Sequence, residues 1–240
     1  MSRRPVRGRW RGRRKVLAVV TAVVVALAGL GAGAAELAAR GVLRDRIAGA
    51  APALGPDLSV ATSGGWALWD LARGRIGRLD VSSGDARLGP LPGVSVRARL
   101  DDVRLGGHPT VGGSRAEVTA PPESVAAALR ARAPALSVGE VTADPERGTL
   151  VAAVGPGGAG RLTLRPVLAD GRVGLTVAGL TVFGREVPDP GRFGLDGAAA
   201  GPGPAARDYP LGLRASSVRV AADGVHVALS GGPGPLAGPR

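Results

Sequence analysis

The sequence predicts an α+β protein, mostly antiparallel β, behind an N-terminal membrane segment. Three observations predict this class. Residues 16–35 contain no charged side chain, and this length is enough for a helix to cross a bilayer. Short runs of alternating apolar and polar residues recur after residue 57, which is the period of a half-buried strand. Asp-Gly pairs at 170–171 and 223–224 separate such runs, and this pair favours a tight hairpin turn.

The composition limits how the interior can be built. Apolar residues make up 45% of the 240 residues but aromatic residues only 2%, so Val, Leu and Ala must form most of the core. The 40 glycines and 20 prolines together are a quarter of the chain, which indicates many turns and loops. At this length we expect one folded domain behind the membrane segment.

The positive charge is concentrated at the N terminus. The formal net charge is +12, and eight of the 31 basic residues precede residue 16, which leaves 23 basic against 19 acidic residues in the remainder. A basic tail beside an apolar run follows the positive-inside rule better than it fits phosphate binding. We therefore expect no nucleic-acid partner. The absence of cysteine excludes disulfides, thiolate catalysis and thiolate metal sites.

The N-terminal segments predict the location of the protein. Residues 1–15 form a basic cytoplasmic tail, and residues 16–35 are either a transmembrane anchor or a secretory signal. Small residues at 32–34 suit a cleavage site, whereas the length of the apolar run favours an uncleaved anchor. The predicted localisation is a single-pass plasma-membrane protein with an extracytoplasmic body, or a secreted or periplasmic protein if the segment is cleaved.

The folded domain is predicted over residues 36–230. It begins with an amphipathic helix at 36–50, which Pro52 ends, and a short strand follows at 58–62. The next segment, 64–83, contains two of the three tryptophans. We expect one or two helical turns there, followed by a strand.

The middle of the domain combines strands with one helix. A Gly/Pro turn is predicted at 84–93 and a strand at 94–105. The alternation in this strand slips by one residue at Asp101 and Asp102, which predicts a β-bulge. A weaker strand then precedes a helix that prolines at 121–122 open.

The remainder is predicted to be strands with two hairpins. The hairpins are placed at the two Asp-Gly pairs, because a type I′ turn needs positive φ at both central residues. The Gly/Ala/Pro-rich stretch at 188–208 is predicted to be a loop or linker. Residues 231–240 are predicted to be a disordered tail.

No reaction centre is predicted. His108 and His226 are the only histidines, which is poor material for a metal site or a general base. The Gly-x-Gly-x-x-Gly sequence at 155–160 leads into a strand rather than a helix, so we interpret it as a turn. Asp101 and Asp102 are adjacent on a strand and point to opposite faces, which favours a structural role over a catalytic or calcium site. We expect no catalytic residue, no metal and no cofactor.

Small apolar motifs follow one another in a particular order along the body. They are Gly65-Trp66-x-Leu68, Gly74-Arg75, Leu79-x-Val81, the strand-then-helix unit at 118–129, Leu162-x-Leu164-x-Pro166 and Leu211-Gly212-Leu213. In order and spacing, over about residues 34–230, they resemble the actinobacterial DUF2993 family of LmeA-like envelope lipid-binding proteins. The resemblance implies a TULIP-like fold, in which a curved antiparallel sheet wraps around a helix, with phospholipid as ligand. It also implies a place at the outer face of the plasma membrane, a role in envelope maintenance or glycolipid assembly, and no catalytic residues.

The predicted function is to hold a lipid acyl chain in an apolar groove. The predicted residues of the groove mouth or of a membrane-contacting lip are Trp66, Leu68, Trp69 and Leu71, because Trp favours the bilayer interface. Plain core anchoring is the alternative for the tryptophans. The predicted lining residues are Leu162, Leu164, Val173, Leu175 and Val177. The expected partners are membrane phospholipid or glycolipid, and the plasma membrane itself through the N-terminal segment. A ligand-free structural or adaptor protein is the main rival, and a hydrolase is the weaker one.

Overall fold

The computed structural model describes residue 55 and residues 57–62, 73–105, 109–188 and 209–235. Strands dominate this part of the chain, and the α-helix within it is α1, Pro122–Arg132. The strands are β1 Leu58–Thr62, β2 Arg75–Leu88, β3 Leu91–Arg104, β4 Thr110–Val111, β5 Gly113–Ala120, β6 Val141–Asp144, β7 Thr149–Val154, β8 Gly160–Ala169, β9 Arg172–Val182, β10 Arg185–Glu186, β11 Arg214–Ala221, β12 Gly224–Gly231 and β13 Gly234–Pro235.

The strands form two open sheets. The large sheet has the order β1-β2-β3-β5-β12-β11, with the short strands β4 and β13 paired beside it. The small sheet has the order β10-β9-β8-β7-β6. Every described strand pair is antiparallel. The prediction of a mostly antiparallel α+β protein is therefore confirmed.

Helix α1 connects the two sheets in sequence and in space. It packs against β3 of the large sheet and β6 of the small sheet. Pro122 lies in the first turn, where a missing N–H leaves no hydrogen bond unmade, and Glu123 lies at the positive end of the helix dipole. After the helix, the Arg130 side chain donates from Nε to the carbonyl oxygen of Val138 at 2.9 Å. The predicted helix is confirmed.

The main core lies between the two sheets. Strand β11, at the edge of the large sheet, packs against β6, β8 and β9 of the small sheet. The buried members of this core are all Val, Leu or Ala, as the scarcity of aromatic residues predicts. Val94, Leu150 and Leu164 are completely buried within it.

A second, smaller core lies under the part of the large sheet that contains β1, β2 and β4. Its buried members are Leu58, Ile76, Leu79, Val81, Leu100, Val103 and Val111. Ala98 and Leu211 are half-buried and pack against both cores. The two cores are thus distinct but joined at these positions.

The buried face changes at the same level in β2, in β3 and between β4 and β5. The buried residues on either side of the change are Ile76 and Leu79 in β2, Leu100 and Val103 in β3, and Val111 and Ser114 in β4 and β5. A spacing of three residues instead of two means that the alternation of inward and outward side chains is inverted between them. The slip in alternation that the sequence predicts in β3 is therefore real and extends to both neighbours.

No inserted residue causes this change, so the prediction of a β-bulge is wrong. Arg78 pairs with Asp101, and the register between β2 and β3 is unbroken on both sides of that pair. Asp102 instead adopts a left-handed φ of 51°. The N–H of Gly112 on the adjacent chain donates to the carbonyl oxygens of Asp101 at 2.9 Å and Asp102 at 3.2 Å. In β3 the inversion thus coincides with a single left-handed residue and needs no change of register.

The turn between β2 and β3 is shorter in the structure than predicted. Strand β2 continues to Leu88, and only Gly89 and Pro90 separate it from β3, so the predicted Gly/Pro turn is present but its predicted bounds of 84–93 are wrong. The pairing of β2 with β3 is irregular between Ser83 and Ala86, and this irregularity accommodates Gly84 within the strand. Local composition suggested a loop, but pairing with a long neighbour extended the strand.

The two Asp-Gly pairs behave differently. Asp170 and Gly171, with φ of 52° and 74°, form the predicted two-residue turn. At the second pair Ala221 already pairs with Gly224, so the turn residues are 222 and 223 and the predicted position is wrong by one residue. Gly224 is used instead for a close approach to Ala120 of β5, where a β-carbon would collide with the carbonyl oxygen.

Several predictions fall outside the described residues. These are the basic tail at 1–15, the membrane segment at 16–35, the helix at 36–50 and most of the loop at 188–208. Within the described residues no helix is long and apolar enough to cross a membrane.

The start of the predicted disordered tail is wrong. Gly231 ends β12, and Gly234 and Pro235 form β13, which pairs with Val111 and Thr110 of β4. Backbone hydrogen bonds to β4 give this short segment a place in the large sheet, which its composition does not reveal.

Replacement of Gly224 tests the contact between β12 and β5. We expect Gly224→Ala to lower the free energy of unfolding by about 2–3 kcal/mol, because the added methyl would meet the Ala120 backbone and φ is 130°. Gly232→Ala is the control, since nothing lies within 4 Å of a β-carbon there. Urea unfolding followed by circular dichroism measures both. Equal effects at the two positions would contradict the close approach.

Candidate functional site

The outer face of the large sheet carries a group of ion pairs. Asp102 accepts from Arg75 at 2.6 Å and from Arg104 at 3.1 Å, and Asp101 accepts from Arg78 at 3.3 Å. The hydrogen bond from Arg75 is the main reason why the pKa of Asp102 lies below its ordinary value. The prediction that these two carboxylates point to opposite faces is therefore wrong, because the left-handed φ of Asp102 interrupts the alternation. Their structural interpretation is still favoured, since both are partners of arginines.

A second polar group surrounds His226. Its Nε2 lies 2.7 Å from Asp223 Oδ1, and its Nδ1 lies 3.2 Å from a guanidinium nitrogen of Arg219. Because Arg can only donate, Nδ1 accepts, and in the neutral ring the proton is then on Nε2 and donated to Asp223. The hydrogen bond with His226 lowers the pKa of Asp223. Both ring nitrogens are thus occupied, on an exposed face.

Sequence reasoning missed this group, because the Arg219 and His226 side chains become neighbours only when β11 pairs with β12. The signal that could have found it is the hairpin register itself. His108, the other histidine, lies outside the described residues. In the part of the chain that the structure describes, no cluster of three or more His, Cys, Asp or Glu residues could hold a metal ion.

The glycine-rich sequence at 155–160 forms a turn, as predicted. Residues Pro156–Gly158 make a short 3₁₀ turn that leads directly into β8. No helix N-terminus is therefore present to receive a phosphate at this motif.

A polar cavity of about 300 Å³ opens at the end of β5 and β12. Its lining residues are Asp101, Gly113, Ser114, Arg115, Ser230, Gly231 and Gly232. The Ser114 hydroxyl is buried and has no hydrogen-bond partner among the described residues. With charged, hydroxyl and glycine residues around it, this cavity does not suit an acyl chain.

The five predicted lining residues lie on two paired strands, β8 and β9. Leu162 and Leu164 are 2% and 0% exposed and belong to the main core. Val173, Leu175 and Val177 on β9 are half-buried and pack against that core. Leu164 pairs directly with Val177, so residues of both strands share one face. The structure thus brings all five together, with β8 deep and β9 nearer the surface.

The large sheet adds three aliphatic residues that sequence reasoning did not include. Val218, Val220 and Val227 are half-buried and pack against the main core from β11 and β12. We use the name apolar rim for six of the half-buried residues that pack against the main core: Val173, Leu175, Val177, Val218, Val220 and Val227. Their alternation was visible in the sequence, but which strands lie opposite β9 is decided by the tertiary fold.

The apolar rim is held in place by hydrogen bonds at the end of the β8–β9 hairpin. The Ala215 N–H donates to the Gly171 carbonyl oxygen at 2.7 Å, and the Val173 N–H donates to the Tyr209 hydroxyl at 3.3 Å. Exposure rises along β8 toward this end, from 0% at Leu164 to 41% at Leu168. The main core is therefore closed in its middle and reaches solvent at the rim.

The mouth of the groove was assigned to four residues. Trp66, Leu68, Trp69 and Leu71 lie outside the described residues. Their assignment as a groove mouth stays a prediction.

A family model matches most of the chain. The model of a family described as LmeA-like phospholipid-binding matches residues 30–230, which confirms the resemblance seen in the sequence motifs. No curated protein and no solved structure matches the chain.

Replacement of Asp102 tests the ion pairs on the outer face. Because the folded-state pKa of Asp102 is lowered, its contribution to stability is present above the unfolded pKa of about 3.9 and is lost as the pH falls through the folded value. We expect Asp102→Asn to be less stable than the wild type near neutral pH, with a difference that shrinks in acid and in high salt. Asn tolerates the left-handed φ.

Thermal unfolding between pH 2 and pH 8 measures this difference. Glu140→Gln is the control, since Glu140 is exposed and makes no ion pair within the described residues. A deficit of Asp102→Asn that does not depend on pH would contradict the assignment.

Truncation of leucines on β8 tests where the main core closes. We expect Leu164→Ala to cost about 2–5 kcal/mol of unfolding free energy, because it leaves a cavity in a closed core. The matched change Leu168→Ala should cost no more than about 0.5 kcal/mol at its exposed site. Urea unfolding measures both. Similar small costs would mean that Leu164 lines an open groove.

Proposed function

Because the chain belongs to the LmeA-like phospholipid-binding family, we propose that it is a non-enzymatic lipid-binding protein of the cell envelope. It holds an acyl chain of a membrane phospholipid or glycolipid in an apolar groove and shields it from water. Its role is in envelope maintenance or lipid trafficking.

The apolar rim is the observation that supports this proposal. Six aliphatic side chains from both sheets lie at the edge of the main core and are only half-buried. Each buried CH₂ contributes about 0.8 kcal/mol, so an acyl chain of roughly ten carbons, half covered, would gain about 4 kcal/mol. No specific polar contact is needed for this gain, which suits a ligand recognised by its chain.

A non-enzymatic role is supported by the state of the polar groups. Asp101 and Asp102 are engaged by arginines, and both nitrogens of His226 have partners. A nucleophile, a base and an oxyanion site within reach of one another would be expected of a hydrolase.

The placement of the protein is part of the proposal. Residues 16–35 anchor the chain in the plasma membrane with residues 1–15 on the cytoplasmic side, or act as a cleaved signal, and the body is extracytoplasmic. The two sheets and α1 form a TULIP-like lipid-binding module. Trp66, Leu68, Trp69 and Leu71 form the mouth of the groove.

A ligand-free adaptor of an envelope complex is the second candidate. The nearly complete burial of Leu162 and Leu164 favours this candidate. If the core is filled by its own side chains, an acyl chain could contact only the apolar rim.

Mass spectrometry of organic extracts from the natively purified full chain tests the proposal. We expect lipid in repeated preparations of the wild type and much less in Leu175→Asp, which places a charge in the apolar rim. Ala178→Asp is the control, since Ala178 is exposed on the same strand. Circular dichroism establishes that both variants are folded. Wild-type protein without lipid, which also fails to bind added phospholipid, would favour the adaptor.

A further inference from the structure

The turn between β9 and β10 exposes a phenylalanine. Phe183 is 83% exposed, the most of any large apolar residue within the described residues. The chain has only two phenylalanines, so an aromatic ring in this position is unusual for its composition. The ring gains nothing from the core and is presented to solvent.

The backbone at Phe183 is also unfavourable for its side chain. Its φ of 50° is in the left-handed region, which bulky residues rarely adopt. Leu211, with φ of 64°, is comparable, but it packs against both cores. Asp102 and Asp170 are of a type that tolerates this region. Phe183 therefore occupies a strained position without compensation by packing.

The turn is held firmly on both sides. The Phe183 N–H donates to the Ala159 carbonyl oxygen at 3.0 Å, and the Val187 N–H donates to the Leu180 carbonyl oxygen at 2.8 Å. These hydrogen bonds fix the backbone of the turn that bears the Phe183 side chain.

Two arginines lie close to the turn in the strand pairing. Arg185 pairs with Val182, and Arg161 pairs with Thr181, so the two arginines lie on opposite faces of the small sheet near the turn. Both are exposed, and neither makes an ion pair within the described residues. Glu186 is the acidic residue beside them, which leaves a positive balance.

We propose that this turn is a membrane contact, in which Phe183 enters the interface of a phospholipid bilayer while Arg161 and Arg185 bind lipid phosphates. Aromatic and aliphatic side chains enter the headgroup boundary, and guanidinium groups bind phosphate oxygens with two hydrogen bonds. The choice of a bilayer rests on the proposed function, but the contact does not require an acyl chain in the apolar rim.

A bilayer fits this surface better than a protein partner does. A protein hot spot needs a surrounding apolar patch that excludes water. The other exposed large apolar residue of the described chain, Leu168, is near the opposite end of the β8–β9 pair. One ring between cations is sufficient for a bilayer, because the acyl region itself excludes water.

Site-specific fluorescence tests the contact, and the absence of cysteine makes the labelling clean. The full chain carrying Phe183→Cys, or Leu168→Cys as control, is labelled with nitrobenzoxadiazole. Each protein is reconstituted in phosphatidylcholine vesicles with and without phosphatidylglycerol. We expect a blue shift, protection from iodide and quenching by spin-labelled lipid at 183 but not at 168. If iodide quenches the probe at 183 as strongly as the probe at 168, the proposal is overturned. A protein that binds this turn would not rescue it.

Further variants separate the contact from the fold and from lipid storage. Arg161→Gln with Arg185→Gln should reduce the quenching at 183, whereas Arg165→Gln, at an exposed position farther along β8, should not. Unlabelled Phe183→Asn should unfold at the same or a higher temperature than the wild type, because Asn suits positive φ. A lower unfolding temperature would assign Phe183 to the fold instead. Phe183→Asn should still yield lipid in organic extracts. Absence of extracted lipid from the wild type would contradict the proposed function, whereas absence of quenching at 183 would contradict the membrane contact.

Discussion

The pairing of β12 with β5 is the interaction on which the remainder of the structure depends. It joins the last long hairpin to strands that lie about a hundred residues earlier in the chain, and it places β11 over the small sheet. Glycines permit the close approach at both ends, Gly224 beside Ala120 and Gly231 beside the Ser114 hydroxyl. Without this pairing, the main core would lack one wall and the apolar rim would lack half of its residues. Contacts of such long range form slowly, so we expect the closure of the core to come late in folding.

Much of the fold could be predicted because strands that are buried on one face must alternate. This alternation predicted the strands around Leu100 and Leu164, and the preference of Asp-Gly for tight turns predicted the hairpin at Asp170 and Gly171. The rules failed where a distant contact decided the outcome. Gly224 is needed for packing rather than for a turn, and Asp102 inverts a strand by its backbone conformation.

The site was predictable in residue type but not in depth. Leu162 and Val173 have the same alternation in sequence, yet one is in the closed core and the other is half-buried. The difference depends on the opposing sheet, and periodicity does not contain that information. The same limit hid Val218 and the polar contacts of His226, which arise from the pairing and packing of β11. The alternation within single strands thus predicts which apolar residues contribute to a site, and the packing of the two sheets decides how deeply each is buried.

The division into two cores has a mechanical consequence. Strand β1 is the first described strand, its one partner among the described strands is β2, and Leu58 within it belongs to the smaller core. Tension that enters from the N-terminal side of the chain therefore meets the smaller core first. Strands β2 and β3 contribute to both cores, whereas Leu58 and Val60 of β1 pack in the smaller core. Separation of β1 from β2 would therefore disturb the smaller core before it disturbs the main core.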